Sequence, residues 1–214
     1  MSSFSVFEEW LANYLPEILS DLNPGATEDE LRAFADELNV TLPAGFIELY
    51  RWHNGQKMEI HTGPWYGLTF MPLSRVLSEW LSWGDVLCQS SPESLVSLNS
   101  NATSVPPGFV RCSYANNRWI PFAYDWAGNY LGIDLDPDPD EKGTSGQVIN
   151  FGRDEERKIA IAPSVGVFVD WMITELKAGN FNIKTESDGG RSFNTLRPEK
   201  YHFLDSLAVI FRDS

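Results

Sequence analysis

The 214-residue sequence predicts a mixed fold in which helices cover a central sheet. Three observations predict it. Residues 118–162, RWIPFAYDWAGNYLGIDLDPDPDEKGTSGQVINFGRDEERKIAIA, hold β-type runs joined by Gly, Pro, Asn and Asp. The segments on either side carry apolar residues three and four apart, the helical period. Apolar residues make up 43% of the chain, enough for one sizeable core. A chain of this kind reads as a binding module more than as an enzyme.

Phe7, Leu11, Tyr14, Ile18 and Leu22 have helical spacing, interrupted by Pro16, so either two short helices meet there or one is kinked. Asn23-Pro24-Gly25 ends the segment. Thr27 and Glu30 have capping-box spacing and start a helix striped by Leu31, Phe34, Ala35 and Leu38. Leu42-Pro43 opens a third helix, closed by His53-Asn54-Gly55. Residues 57–70 read as two short strands around Gly63-Pro64, and Pro72 starts a helix to about Trp83. Residues 89–108, rich in Ser, Asn and Pro, read as a long surface loop with room for one helical turn.

The strand candidates are 109–114, 118–124, 130–135, 147–151 and 158–162, with hairpin turns expected at Asn116-Asn117 and Gly128-Asn129. Pro121 argues for an edge position or a bulge in its run. Ser164 caps a helix bearing Val167, Phe168, Trp171, Met172 and Leu176, ended by Gly179. Residues 183–197 are polar and glycine-rich and read as a linker or long loop. Pro198 is expected to open a last helix with Tyr201, Leu204, Leu207, Ala208 and Phe211 on one side, docked on the domain. The organisation expected is a domain over 1–182 and a C-terminal linker with docking helix over 183–214.

Net charge is −14, and residues 1–50 hold ten acids against one base, Arg32. Phosphate contacts need a basic face, so nucleic-acid and anionic-membrane binding are disfavoured. A basic protein partner is allowed, and solubility alone also accounts for the charge. No window reaches the ~18 apolar residues of a membrane span. The N-terminus lacks the basic and apolar regions of a secretory signal. With only Cys88 and Cys112, both read as small core residues, a reduced cytoplasmic setting is expected.

Residues 118–162 resemble the signature of the SMI/KNR family, within the SUKH superfamily. ATEDELRAFADELNVTLPAGFIELYRWHNGQ, YGLTFMPLSRVLSEWLSW and SVPPGF resemble its earlier elements, in the family's order, over about residues 5–182. The resemblance implies an α+β fold, with a SUKH-like twisted, mainly antiparallel sheet flanked by N- and C-terminal helices. It implies no known catalytic activity; separately, no cofactor is expected. Bacterial members are immunity proteins that neutralise toxins; fungal members are scaffold-like regulators of wall synthesis and signalling.

The chemistry legible in the residues is sparse. Asp134, Asp136 and Asp138 alternate as in the start of an EF-hand loop, but Pro139 stands where the turn needs Gly and Ser145 where it needs Glu. A solvated or partner-facing acidic loop, with Asp140 and Glu141, is preferred to a metal site. Asp125, Asp134 and Asp136 are acid–base candidates by residue type only. His53, His61 and His202 are scattered without ligand spacing, and nucleotide-loop and nucleophile motifs are absent. Of eight tryptophans, Trp119 and Trp126 lie at the mouth of the sheet beside Asp125. Either could anchor an interface, although core burial is the preferred reading of Trp119.

Two functions are weighed. The first is a bacterial-type immunity protein docking a basic toxin domain. In it, Asp134, Asp136, Asp138, Asp140 and Glu141 supply the field, and Trp119 or Trp126 the anchor. The alternative is a regulatory scaffold of the cell-wall assembly kind, with several endogenous partners. Compactness and the lack of low-complexity arms favour the first. The match to the fungal-type sheet motif favours the second. A hydrolase is a distant third.

Overall fold

The computed structural model describes residues 2–138, 142–187 and 189–212. The chain opens with α1 (Ser3–Tyr14) and α2 (Pro16–Asp21), so Pro16 separates two helices and occupies the first turn of the second, where no N–H is needed. The Thr27–Glu30 capping box starts α3 (Glu28–Leu38): each side chain accepts from the other's backbone N–H. α4 (Ala44–Trp52) follows Pro43, then a two-residue strand β1 (Thr69–Phe70) and the long α5 (Leu73–Gln89). α6 (Pro92–Asn99) and β2 (Thr103–Val105) precede the sheet proper. Its strands are β3 (Trp119–Tyr124), β4 (Asn129–Asp134), β5 (Gln147–Gly152) and β6 (Arg157–Ala162). α7 (Val165–Lys177), a hairpin of β7 (Asn182–Thr185) and β8 (Arg191–Asn194), and α8 (Phe203–Ile210) complete the chain.

The six-stranded sheet has the order β1-β3-β4-β5-β6-β2. Every pairing in it is antiparallel except β2 with β6. This is the expected α+β fold with a mainly antiparallel sheet. Every residue of β3, β4 and β5 is buried, so both faces of the sheet are covered. On one face Phe122 meets Trp65 and Phe168 of α7. On the other, Trp119, Phe151 and Tyr130 form a row that ends on Trp83 of α5. α7 also packs on α1 and α4, and α8 packs on β6. Among the described residues no helix is long and apolar enough to cross a membrane.

Several expectations are corrected. Residues 109–114 form no strand, because their backbone groups bond elsewhere. The Phe109 and Val110 N–H groups donate to Ser104 Oγ, Gln147 Nε2 donates to Phe109 O, and Tyr114 N–H donates to Asn99 Oδ1. Asn116-Asn117 is therefore a turn leading into β3 and not a hairpin between strands. Pro121 sits at a bulge, where the register shifts between Pro121 and Ala123. Residues 57–68 contribute only isolated bridges. The expected loop 89–108 holds α6, begun by the Ser91 cap with Pro92 at its first turn, and β2. The expected linker holds the β7–β8 hairpin. The last helix starts after His202 rather than at Pro198. Cys88 and Cys112 are exposed: Cys88 lies in the part of α5 beyond Val76 that buries no residue, and Cys112 lies in the loop before β3.

Candidate functional site

The β3–β4 turn is built by Asp125. Its Oδ1 accepts from the N–H groups of Ala127 (2.7 Å) and Asn129 (3.0 Å), and its Oδ2 accepts from Asn129 Nδ2 (2.9 Å). This fold-back holds Trp126 in the left-handed region, at φ 67°. For a residue other than Gly that conformation costs about 1–2 kcal/mol. The indole is fixed from three directions. Its N–H donates to Thr69 Oγ1 at 2.9 Å, His61 meets it edge-on at 4.9 Å, and Tyr124 lies tilted against it at 4.8 Å. Even so, Trp126 stays 48% exposed.

Trp126 lines an open groove of about 1320 Å³. The β7–β8 hairpin, the 199–203 segment, the 60–68 loop and Glu17 form the rest of its wall. The hairpin is anchored by Phe193, whose ring packs against Trp10 and Tyr66. Gly67 lets the facing loop approach: with φ 91°, a Cβ there would lie 2.8 Å from Phe193 O. Tyr201, also in the lining, is 96% exposed.

Two ion pairs and one close histidine–carboxylate approach hold the lining. Arg191 lies 3.3 Å from Glu17, Lys184 lies 3.5 Å from Glu199, and His202 Nε2 lies 3.8 Å from Asp125 Oδ2. His202 Nδ1 caps α8 by accepting from Leu204 N–H. Asp125 and His202 are thus engaged in holding a turn and a helix cap. What it offers a ligand is aromatic surface and planar polar groups.

The sequence-predicted site residues are not gathered on one surface. Asp125 and Trp126 line the groove. Trp119 is 1% exposed and Asp134 0%, both in the core. Asp134 lies at the far end of β4, about 17 Å from the turn by strand rise. Burial raises its carboxyl group to about 6, against hydrogen bonds from Asp136 N–H and Gln147 that favour its charge. Neither residue can anchor or steer a partner. Asp136 is half-buried and pairs with Arg111, whose Nη2 donates to Oδ1 at 2.9 Å. Asp138 lies beyond it in the half-buried approach to the loop, and Asp140 and Glu141 lie outside the described residues. Among the described residues no three His, Cys, Asp or Glu side chains are arranged to hold a metal ion.

Sequence reasoning missed the groove's other members, His61, Tyr201, His202 and Arg191. His61 and His202 are 141 positions apart, and no local spacing links them. One signal was present: Asp188-Gly189-Gly190 between short polar–apolar runs is a hairpin turn pattern.

The SMI1 / KNR4 family (SUKH-1) model matches residues 25–171. The chain belongs to the SMI1/KNR4 family. It is 31% identical over 212 residues to the "Cell wall biosynthesis/cell cycle regulator smi1" of Schizosaccharomyces pombe, covering 96% of this chain and 42% of that protein. It is 28% identical over 232 residues to the "Glucan synthesis regulatory protein" of Neurospora crassa, covering 94% and 43%. It is 30% identical over 217 residues to "KNR4/SMI1 homolog 2" of Debaryomyces hansenii, covering 86% and 36%. The chain thus spans less than half the length of these relatives.

These likenesses overturn the bacterial immunity reading and its basic toxin partner. The similar proteins are fungal, and those whose names state a role are called regulators of wall or glucan synthesis. The geometry agrees, because of the carboxylates meant to draw in a toxin Asp134 is buried and Asp136 is paired. The argument from missing low-complexity arms also fails, since the relatives carry length that this chain does not span. The family and relative names are those of regulators, not enzymes.

Proposed function

We propose that this chain is a non-catalytic, cytoplasmic regulatory module of the cell-wall assembly kind, acting by binding in the groove beside Trp126. The observation that carries the reading is Trp126 itself. A bulky residue is held in a costly left-handed backbone, pinned by Thr69, His61 and Tyr124, and still left half open to solvent. Backbone strain of this kind, braced by its surroundings, gathers at ligand-binding positions. The engagement of Asp125 and His202 in turn and cap supports binding over turnover. Protein partners, which a regulator requires, are proposed on the arm of α5 and α6, where Leu81, Val86, Val96 and Leu98 are exposed.

Deletion of the gene in its native cell tests this. The expected result is hypersensitivity to a wall-binding dye, restored by the wild-type chain but not by Trp126→Ala at equal protein level. A deletion strain with a normal wall would overturn the reading, as would turnover of glycans or nucleotides by the purified protein.

A further inference from the structure

We infer that the groove beside Trp126 takes a neutral oligosaccharide, a linear chain of hexose units; the inference rests on the groove being the binding site. Four features of the lining point to this chemistry.

The first is charge. In a protein of net charge −14, the groove is close to balanced. Arg191 is matched by Glu17 and Lys184 by Glu199, Lys200 and Glu186 add one charge of each sign, and Asp125 leaves the lining one negative charge in excess. A phosphate or an acidic peptide meets no uncompensated basic field there. A strongly basic peptide meets a field of only one excess carboxylate.

The second is the placing of the rings. Trp126 and Tyr201 stand on the walls with 48% and 96% of their surfaces exposed. Peptide anchors are side chains sunk into desolvated pockets. These rings belong to the receptor and stand proud of it, as platforms. The Trp126 N–H is already committed to Thr69 Oγ1, so the open part of the ring offers only apolar surface. The C–H face of a pyranose is apolar and flat, and stacks on such a ring.

The third is the polar complement. Asn182 carries a planar amide with a donor and an acceptor side by side, and Glu199, whose Oε1 meets Lys184, has a second carboxylate oxygen. Adjacent hydroxyls on a sugar ring present matching donor–acceptor pairs. The fourth is size. At about 1320 Å³ the groove exceeds the ~300–1,000 Å³ of a small-molecule site and is open, which suits an oligomer rather than one sugar.

The test uses the full chain and three linear six-unit glucose oligomers, linked β-1,3, β-1,4 and α-1,4. Binding is read by titration calorimetry and by tryptophan fluorescence. Saturable binding to at least one oligomer is expected, little changed between about 50 and 500 mM salt, since no charge pairing drives it. Tyr201→Ala, at an almost fully exposed position, is expected to weaken binding about tenfold without disturbing the fold. Trp126→Phe is expected to remove the fluorescence response while keeping measurable binding. Absence of saturation up to about 10 mM of every oligomer overturns the inference. So does binding that Tyr201→Ala leaves unchanged, or a protein held through Trp126 that no oligomer displaces. A wall defect on deletion together with no oligomer binding removes this inference and leaves the regulatory reading standing.

Discussion

Replacing Asp134 by Asn exposes what a carboxylate inside the sheet costs. Asp134 is 0% exposed, and burial raises its carboxyl group from 3.8 to about 6. The folded state therefore disfavours the charged form. Below pH 3.8 the group is protonated in both states and imposes no penalty. As pH rises through about 6 the folded chain must take on the buried charge, and stability falls. The gap between 3.8 and about 6, at about 1.36 kcal/mol per pH unit, amounts to about 3 kcal/mol by pH 7. Asn has no charge and escapes this term. It brings one cost at every pH, because its amide faces the Gln147 Nε2 donor that Asp134 Oδ2 accepts at 2.9 Å. That clash is worth about 1–2 kcal/mol. Gln147 cannot flip to relieve it without losing its bonds to Phe109 O and Thr144 N–H. Asp134→Asn should thus be less stable than wild type at pH 4 and more stable at pH 7. Urea unfolding followed by fluorescence across that range measures the difference. A difference that stays flat from pH 4 to 7 would refute the reasoning.

Gly132→Ala should cost at least about 3 kcal/mol or prevent folding, since its Cβ would lie 2.4 Å from Ile120 O and 2.6 Å from the Phe151 ring; the melting temperature reports it. Thr27→Ala should cost about 1 kcal/mol in urea unfolding by removing half of the α3 capping box. Both Cys88 and Cys112 should react with a thiol reagent in the native protein without denaturant, whereas a single reactive thiol or none would contradict their exposure.

The elements governed by neighbours in sequence were legible from it. The α3 capping box, the Pro16 junction, the Ser164 cap, the Gly128-Asn129 turn and the four central strands need only local spacing, because caps, turns and amphipathic periods are short-range effects. The family was legible for the same reason, since its marks lie in continuous text. Tertiary structure alone decided the rest. Whether Asp134 faced solvent or core depended on what covers the sheet: both faces are packed over, so every residue of its strand is buried whichever way it points. Residues 109–114 had strand composition but lost their backbone groups to Ser104, Gln147 and Asn99, partners that no local pattern announces. The groove brings Trp126 together with His61, Tyr201 and Arg191, which lie as many as 75 positions away along the chain. Such a site exists only after the sheet, the hairpin and the last loop have packed, so composition could supply its residue types but not their meeting.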